Sequence, residues 1–231
     1  MFWHTPKIWK NQDVWIVGGG PSLTSTFNIP EEIVSKVREN KLPLSSYSPF
    51  MEVLHDKRVI GINVAYQLGD WVDMVFYGDG NFLKKYEKRL FDFNGLCVTC
   101  SPHGAPIPWM KYLERARSQR FALSPNSNKV VWNQTSGAAA INLAVHLGAK
   151  RIILIAFDMN LTANRQHWHG VYRSSLIEEK EKIKKKKVFE RHLRPFPDIK
   201  RNLDKLGIKI YNISPNSAIK CIETRTLEQV L

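Results

Sequence analysis

Short apolar runs alternate along the chain with amphipathic or alanine-rich stretches, and most runs stop at glycine or a small polar residue. Val14-Trp15-Ile16-Val17 ends on three glycines, the pattern of a buried parallel strand entering a tight turn. Residues 31–40 read as a helix, with Glu31 and Glu32 in the first turn where the dipole favours acidic groups. Residues 42–50, rich in Pro and Ser, read as a loop. Residues 59–63 and 74–77 give two further strands, the second ending at Gly78-Asp79-Gly80, and a basic helix follows over 81–91. Residues 96–99 form a fourth strand. A Pro-rich loop then leads to a helix over 109–117.

The clearest β-α-β pattern comes next. Thr135 or Ser136 caps an Ala-rich helix over 137–147, Gly148 ends it, and residues 151–157 form a strongly apolar strand that stops at Asp158. From 159 to about 188 the chain turns polar and His-rich, then basic. A helix over 196–206 and a last strand over 209–213 precede Ser214-Pro215-Asn216-Ser217. Strands alternating with helices predict an α/β fold, a doubly wound, mostly parallel Rossmann-like sheet with ligands bound beyond the carboxyl ends of its strands. One nucleotide-binding transferase domain over 1–231 is expected, with 159–195 as a lid or insertion within it.

Composition narrows the class. With 43% hydrophobic and 24% charged residues the chain is globular. It holds no apolar run long enough for a membrane span, its first residues lack a secretory pattern, and three cysteines do not suggest a disulfide framework. A soluble, cytoplasmic protein is expected, and a homo-oligomer is left open. The net charge of +13 is unevenly spread: ten Lys/Arg face Glu181, Glu190 and Asp198 between Lys180 and Arg201. Such a block suits an anionic partner, or else a solvated helix in which Glu178/Lys182 and Glu181/Lys185 pair at i,i+4.

Several residues sit where chemistry is expected. Gly18-Gly19-Gly20-Pro21-Ser22 follows the first strand; glycines there allow a sharp turn, free N–H groups can hold phosphate oxygens, and Ser22 adds a hydroxyl. The turn lacks the third glycine of the dinucleotide fingerprint and the Gly-Lys-Ser/Thr of a P-loop. Asn63 and Asp79 stand at the ends of the second and third strands, placed to read a ribose or base edge, though both residue types also favour turns. Thr135-Ser136-Gly137 opens a helix whose N-terminal amides suit a phosphate or carboxylate, or whose hydroxyls simply cap it. Asp158 and the segment from Gln166 to Arg173 carry a carboxylate, His167 and His169, and Tyr172. A histidine can take a proton from an attacking hydroxyl, and Tyr172 or Arg173 can steady a leaving phosphate. In extended chain the two histidines point the same way, which also suits a metal with Asp158, although no metal is expected. Trp168 between them is the tryptophan best placed to stack on a ligand. Cys97 and Cys100, with His103 nearby, read as structural.

These blocks occur in the order that marks the family 42 bacterial sialyltransferases, which the chain resembles. The matching blocks are Val-Gly-Gly-Gly-Pro-Ser-Leu (17–23), Asn63, Ser136-Gly137 through Gly148 to Asp158, and Pro215-Asn216-Ser217. The chain also resembles a wider Rossmann-like group that includes an archaeal-type 6-hydroxymethylpterin pyrophosphokinase and many phage proteins. The first resemblance implies a GT-A-like, metal-independent glycosyltransferase that needs no cofactor. The glycine turn, Asn63 and Ser136-Gly137 would bind a CMP- or UDP-type nucleotide-sugar, and a histidine after Asp158 would be the base. Gly19 replaces an Asn of those enzymes and Met159 a Tyr, which leaves the donor open. The basic segment, including Lys184 and Lys185, would receive an anionic acceptor such as lipopolysaccharide or DNA bearing a hydroxylated base. Two other readings are a Mg²⁺-dependent pyrophosphokinase using Asp79 and Asp158 as metal carboxylates, and a non-catalytic nucleotide- or nucleic-acid-binding protein contacting phosphates through 180–201.

Overall fold

The computed structural model of the chain describes residues 1–116, 123–162, 164–172 and 179–231, side chains excepted at 179–183 and 185. Its centre is a sheet of eight strands, all parallel. Strand β1 (Asp13–Val17) lies in the middle. On one side follow β2 (Arg58–Ile62), β3 (Met74–Tyr77), β4 (Leu96–Thr99) and β5 (Lys111–Tyr112). Strands β6 (Glu114–Ala116) and β7 (Lys129–Val131) pair apart from it as a small second sheet. On the other side of β1 lie β8 (Arg151–Ile155), β9 (Lys209–Asn212) and β10 (Glu223–Thr224). The order therefore reverses between β1 and β8, and a crevice opens at such a switch point beyond the strands' carboxyl ends.

The apolar runs form these strands because both faces of the sheet are covered. Trp15 and Val17 face one core layer, with α2 (Glu31–Arg38), the 3-10 run Leu44–Leu54 and α3 (Gly80–Phe91). Val14 and Ile16 face the other, with α4 (Ser136–Leu147) and α6 (Phe196–Lys205). Helix α4 is buried on nearly all sides, and Ala138, Ala139, Ala140 and Ala144 let its backbone approach the sheet closely. It stops where Gly148 adopts φ +96. A short helix, α1 (Leu23–Thr26), and a long basic one, α5 (Glu179–Leu193), complete the described elements used below. No helix among the described residues is long and apolar enough to cross a membrane.

Five expectations are corrected. The helix expected over 109–117 is instead β5 and β6. Met110 and Leu113 have helical spacing and both are buried, but Met110 closes a turn, its N–H donating to Ile107 O at 3.1 Å, and the Leu113 N–H donates to Thr99 O at 2.8 Å. The loop expected over 42–50 is a 3-10 run, because Leu44, Tyr47, Met51 and Leu54 recur every three or four residues and are all buried. The second strand stops one residue early and the apolar one after α4 two early, since Asn63 turns to φ +52 and Ala156 to φ +58. The strand over 209–213 is followed by a further one, β10.

One buried amide holds the small sheet in place. The Asn142 side chain, fully buried in α4, accepts the N–H groups of Ser124 (2.7 Å) and Val131 (3.1 Å) and donates to Ser124 O (3.1 Å). Replacing it orphans two buried backbone donors, which costs more than the bonds themselves contribute. Asn142→Leu is expected to lower the unfolding free energy by about 2–4 kcal/mol. Urea denaturation checks this, and a change under about 0.5 kcal/mol would contradict it.

Candidate functional site

The loops after β1 and β8 are joined by hydrogen bonds. Gly18 N–H donates to Ile155 O and Gly20 N–H to Ala156 O, each at 2.8 Å. Beyond them the Asp158 carboxylate accepts both the N–H (3.1 Å) and the hydroxyl (2.9 Å) of Ser22. Glycine is required at position 20 because a Cβ there would lie 1.8 Å from Asp158 Oδ2. The expected cradle of free N–H groups is thus not what the turn offers, since those of Gly18, Gly20 and Ser22 are already engaged. Pro21 and Ser22 are buried beneath the site, and the Ser22 hydroxyl is committed to Asp158. Burial pushes the Asp158 carboxyl up to about 6, against the lowering effect of the two Ser22 bonds. The Pro215-Asn216-Ser217 segment ties down the same loop: Ala218 N–H donates to Asp158 O (2.8 Å) and the Ser217 hydroxyl to Phe157 O (2.7 Å).

Above this seam lies a cavity of about 300 Å³. It is lined by most of the residues singled out in the sequence: Gly18, Gly19, Gly20, Asn63, Asp79, Thr135, Ser136, Gly137, Asp158, His167, His169 and Tyr172. Strained backbone gathers here. Asn63, Gln134, Ala156 and Met159 line it with φ between +52 and +64, a region that costs non-glycine residues energy and collects at functional sites. The Asn63 Oδ1 atom is buried without a hydrogen-bond partner among the described residues. The N-terminus of α4 opens on the cavity, where its first N–H groups have no intrahelical acceptor. Ser136 Oγ accepts from Gly78 N–H at 3.2 Å, and Asp79 caps α3 by accepting Asn81 N–H at 2.9 Å while still lining the cavity.

The histidines form one wall. The turn's carbonyls hold them: Trp168 donates its indole N–H to Gly18 O (2.9 Å) and its backbone N–H to Gly19 O, and His167 Nδ1 bonds Gly19 O at 3.2 Å. A Cβ at residue 19 would come within 2.9 Å of that nitrogen. The His167 and His169 rings stack at 5.1 Å and 9°, so they do point the same way, and Tyr172 meets both edge-on. His169 is 3% exposed, and its Nδ1 has no partner among the described residues. Burial, then the neighbouring His167 and Lys85, holds its pKa well below the usual histidine value. Burial also raises the Tyr172 phenol.

Trp168 is corrected: it is fully buried against Tyr47 and belongs to the core rather than stacking on a ligand. Asp158 bonds Ser22 and not a histidine. Lys184 is exposed on α5 and does not line the cavity, while Arg173 and the Lys185 side chain lie outside the described residues. Cys97 and Cys100 are buried, which pushes their thiols up to about 12 and about 11. Among the described residues no three His, Cys, Asp or Glu side chains converge as a metal site. The cavity also takes in Trp132, Gln134, Asn160, Phe189 and His192, which the sequence reading did not single out. Gln134 adjoins Thr135 and could have been found by its neighbour. Phe189 and His192 are three apart on one face of α5, the spacing of a helix laid over a site.

No protein-family profile and no curated protein matches the chain. Among solved structures, the fold is similar to that of the sialyltransferase CstII from Campylobacter jejuni, solved with a substrate analogue, CMP-3FNeuAc. The match has a TM-score of 0.51 and 16% identity over 94% of this chain and 87% of that one. The fold is therefore of the sialyltransferase-like Rossmann kind.

The raised Asp158 pKa carries a sign. The folded state holds this proton more tightly than the unfolded chain, so its contribution is complete below about 3.8 and is lost as pH rises through about 6. Asp158→Asn is expected to remove that loss. Its stability relative to the wild type should rise by roughly 2–3 kcal/mol between pH 4 and 6.5, measured by urea denaturation. A difference that does not change with pH would contradict it.

Proposed function

We propose that the chain is a glycosyltransferase that uses a nucleotide-sugar donor without a metal. The carrying observation is that one cavity gathers a helix N-terminus, an unpartnered buried amide oxygen and a stacked histidine pair. The sialyltransferase-like fold supports the same reading. The α4 N-terminus takes the donor phosphate, because its N–H groups and dipole favour an anion. Asn63 Oδ1 accepts a hydrogen bond from the donor's ribose or base. The glycine turn forms the floor, and its carbonyls position the base. A carbonyl cannot donate, so His167 carries its proton on Nδ1, which makes Nε2 the accepting nitrogen. His167 Nε2 takes the proton of the acceptor hydroxyl as the new C–O bond forms at the anomeric carbon. The bond from that carbon to the phosphate oxygen breaks, and the nucleotide leaves as its phosphate anion. Neutral His169 lets His167 become charged without a second cation beside it. Tyr172, kept protonated, donates to the leaving phosphate.

Helix α5 is the lid, with Phe189 and His192 over the cavity. Lys184, Lys187 and Arg191 recur at i, i+3 and i+7 as a cationic stripe on its exposed side, turned away from Phe189 and His192. With Lys185 and Arg173, that stripe receives an anionic acceptor, lipopolysaccharide or DNA carrying a hydroxylated base. The pyrophosphokinase reading fits the site less well, because both oxygens of Asp158 are bonded to Ser22 and Asp79 caps a helix.

A pyrimidine nucleotide, CMP or UDP, is expected to raise the melting temperature equally with Mg²⁺ and with EDTA. A shift confined to ATP with Mg²⁺, or no shift at all, would overturn the proposal. His167→Ala should bind that nucleotide within a few-fold of the wild type. It should release nucleotide from its sugar conjugate in the presence of acceptor about 100-fold more slowly. Full turnover in this variant would rule His167 out as the base.

A further inference from the structure

Trp132 follows β7 and reaches the cavity from the side of β3. Three features fix its indole there. A Cβ on Gly78, the residue after β3, would lie 1.9 Å from Trp132 Cζ3, so the ring fills the space that this glycine leaves. The Arg115 guanidinium sits 4.3 Å from the ring centroid. Arg115 is itself held by two carbonyls, donating from Nε to Cys100 O at 3.0 Å and from Nη2 to Gly78 O. Trp132 lines the cavity and Arg115 does not, which sets the cation behind the residue as seen from the cavity.

The cavity runs across the carboxyl ends of adjacent strands. The histidines rest on the turn after β1, Asn63 follows β2, and Gly78 with Trp132 follows β3. Gly78 also donates its N–H to Ser136 Oγ at 3.2 Å, so the Trp132 ring and the N-terminus of α4 meet at the end of β3. The geometry points to Trp132, backed by Arg115, as the platform on which the donor's nucleobase stacks. This rests on the donor-site reading above and assigns its base subsite. An indole offers a broad apolar π-face, and a cation on its far side holds it in one orientation. Stacking of a base on such a ring tolerates any base. Selection among bases therefore falls to hydrogen-bonding groups such as Asn63.

The test is calorimetric titration without Mg²⁺ of CMP, UMP, AMP and GMP, and of ribose 5-phosphate, which lacks a base. It is run on the wild type, Trp132→Ala and Trp132→Phe. The tightest of the four nucleotides for the wild type should bind Trp132→Ala about tenfold or more weakly. Trp132→Phe should recover most of the loss, and ribose 5-phosphate should bind all three proteins alike. Unchanged nucleotide affinity in Trp132→Ala overturns the base platform while leaving the donor site standing. Equal losses of nucleotide and ribose 5-phosphate overturn it too, by showing that Trp132 only shapes the cavity. A wild type that binds none of the four nucleotides overturns the donor site and the platform together.

Discussion

The structure depends on one buried carboxylate at the place where the strand order reverses. Asp158 holds Ser22 by its amide and its hydroxyl, and so closes the loop after β1 onto the loop after β8. Both partners are nearly inaccessible, so the bonds are not shared with water. Burying a carboxylate without an ion pair is costly, as its raised pKa records, and two hydrogen bonds offset only part of that cost. What the interaction provides is position. Ala156 and Met159, on either side of the same loop, adopt positive φ, and Gly20 leaves room for the Asp158 carboxyl.

From that seam the site follows by short steps. The turn's N–H groups face down into the seam, so its carbonyls face the lid segment and accept Trp168 and His167. Trp168, driven into the core, acts as the anchor that sets the flanking histidines on the cavity wall. A glycine turn that suggests phosphate binding in the sequence therefore works here as a clamp on the histidines. In the proposed donor site the phosphate goes instead to the N-terminus of α4, held by its packing on the sheet and by Ser136, which bonds the end of β3.

Much of this was legible in the sequence. Strands buried on both faces read as plain apolar runs, and Gly148 marks its helix end without ambiguity. Asn63, Asp79 and Asp158 stand at strand carboxyl ends in the sequence pattern, and all three line the cavity there. What escaped was set by tertiary packing. Lys111–Tyr112 and Glu114–Ala116 are too short to show a period, and Leu113 between them mimics a helical position. Trp132 reaches the cavity only because Asn142 pins the segment before it, and His192 only because α5 folds back over the site. The direction of the Gly18–Ser22 amides could not be read from their spacing either, since it depends on a partner 136 residues away.

The account stands most directly on where a nucleotide binds. A crystal structure of the protein grown with its tightest-binding nucleoside monophosphate, free of divalent metal, is the decisive measurement. The predicted result is the phosphate at the N–H groups of Ser136 and Gly137, with the ribose beside Asn63 and His167 Nε2 facing the phosphate's outer side. A nucleotide bound elsewhere, or a phosphate seated on the Gly18–Gly20 amides after the Asp158–Ser22 bonds have opened, would contradict it.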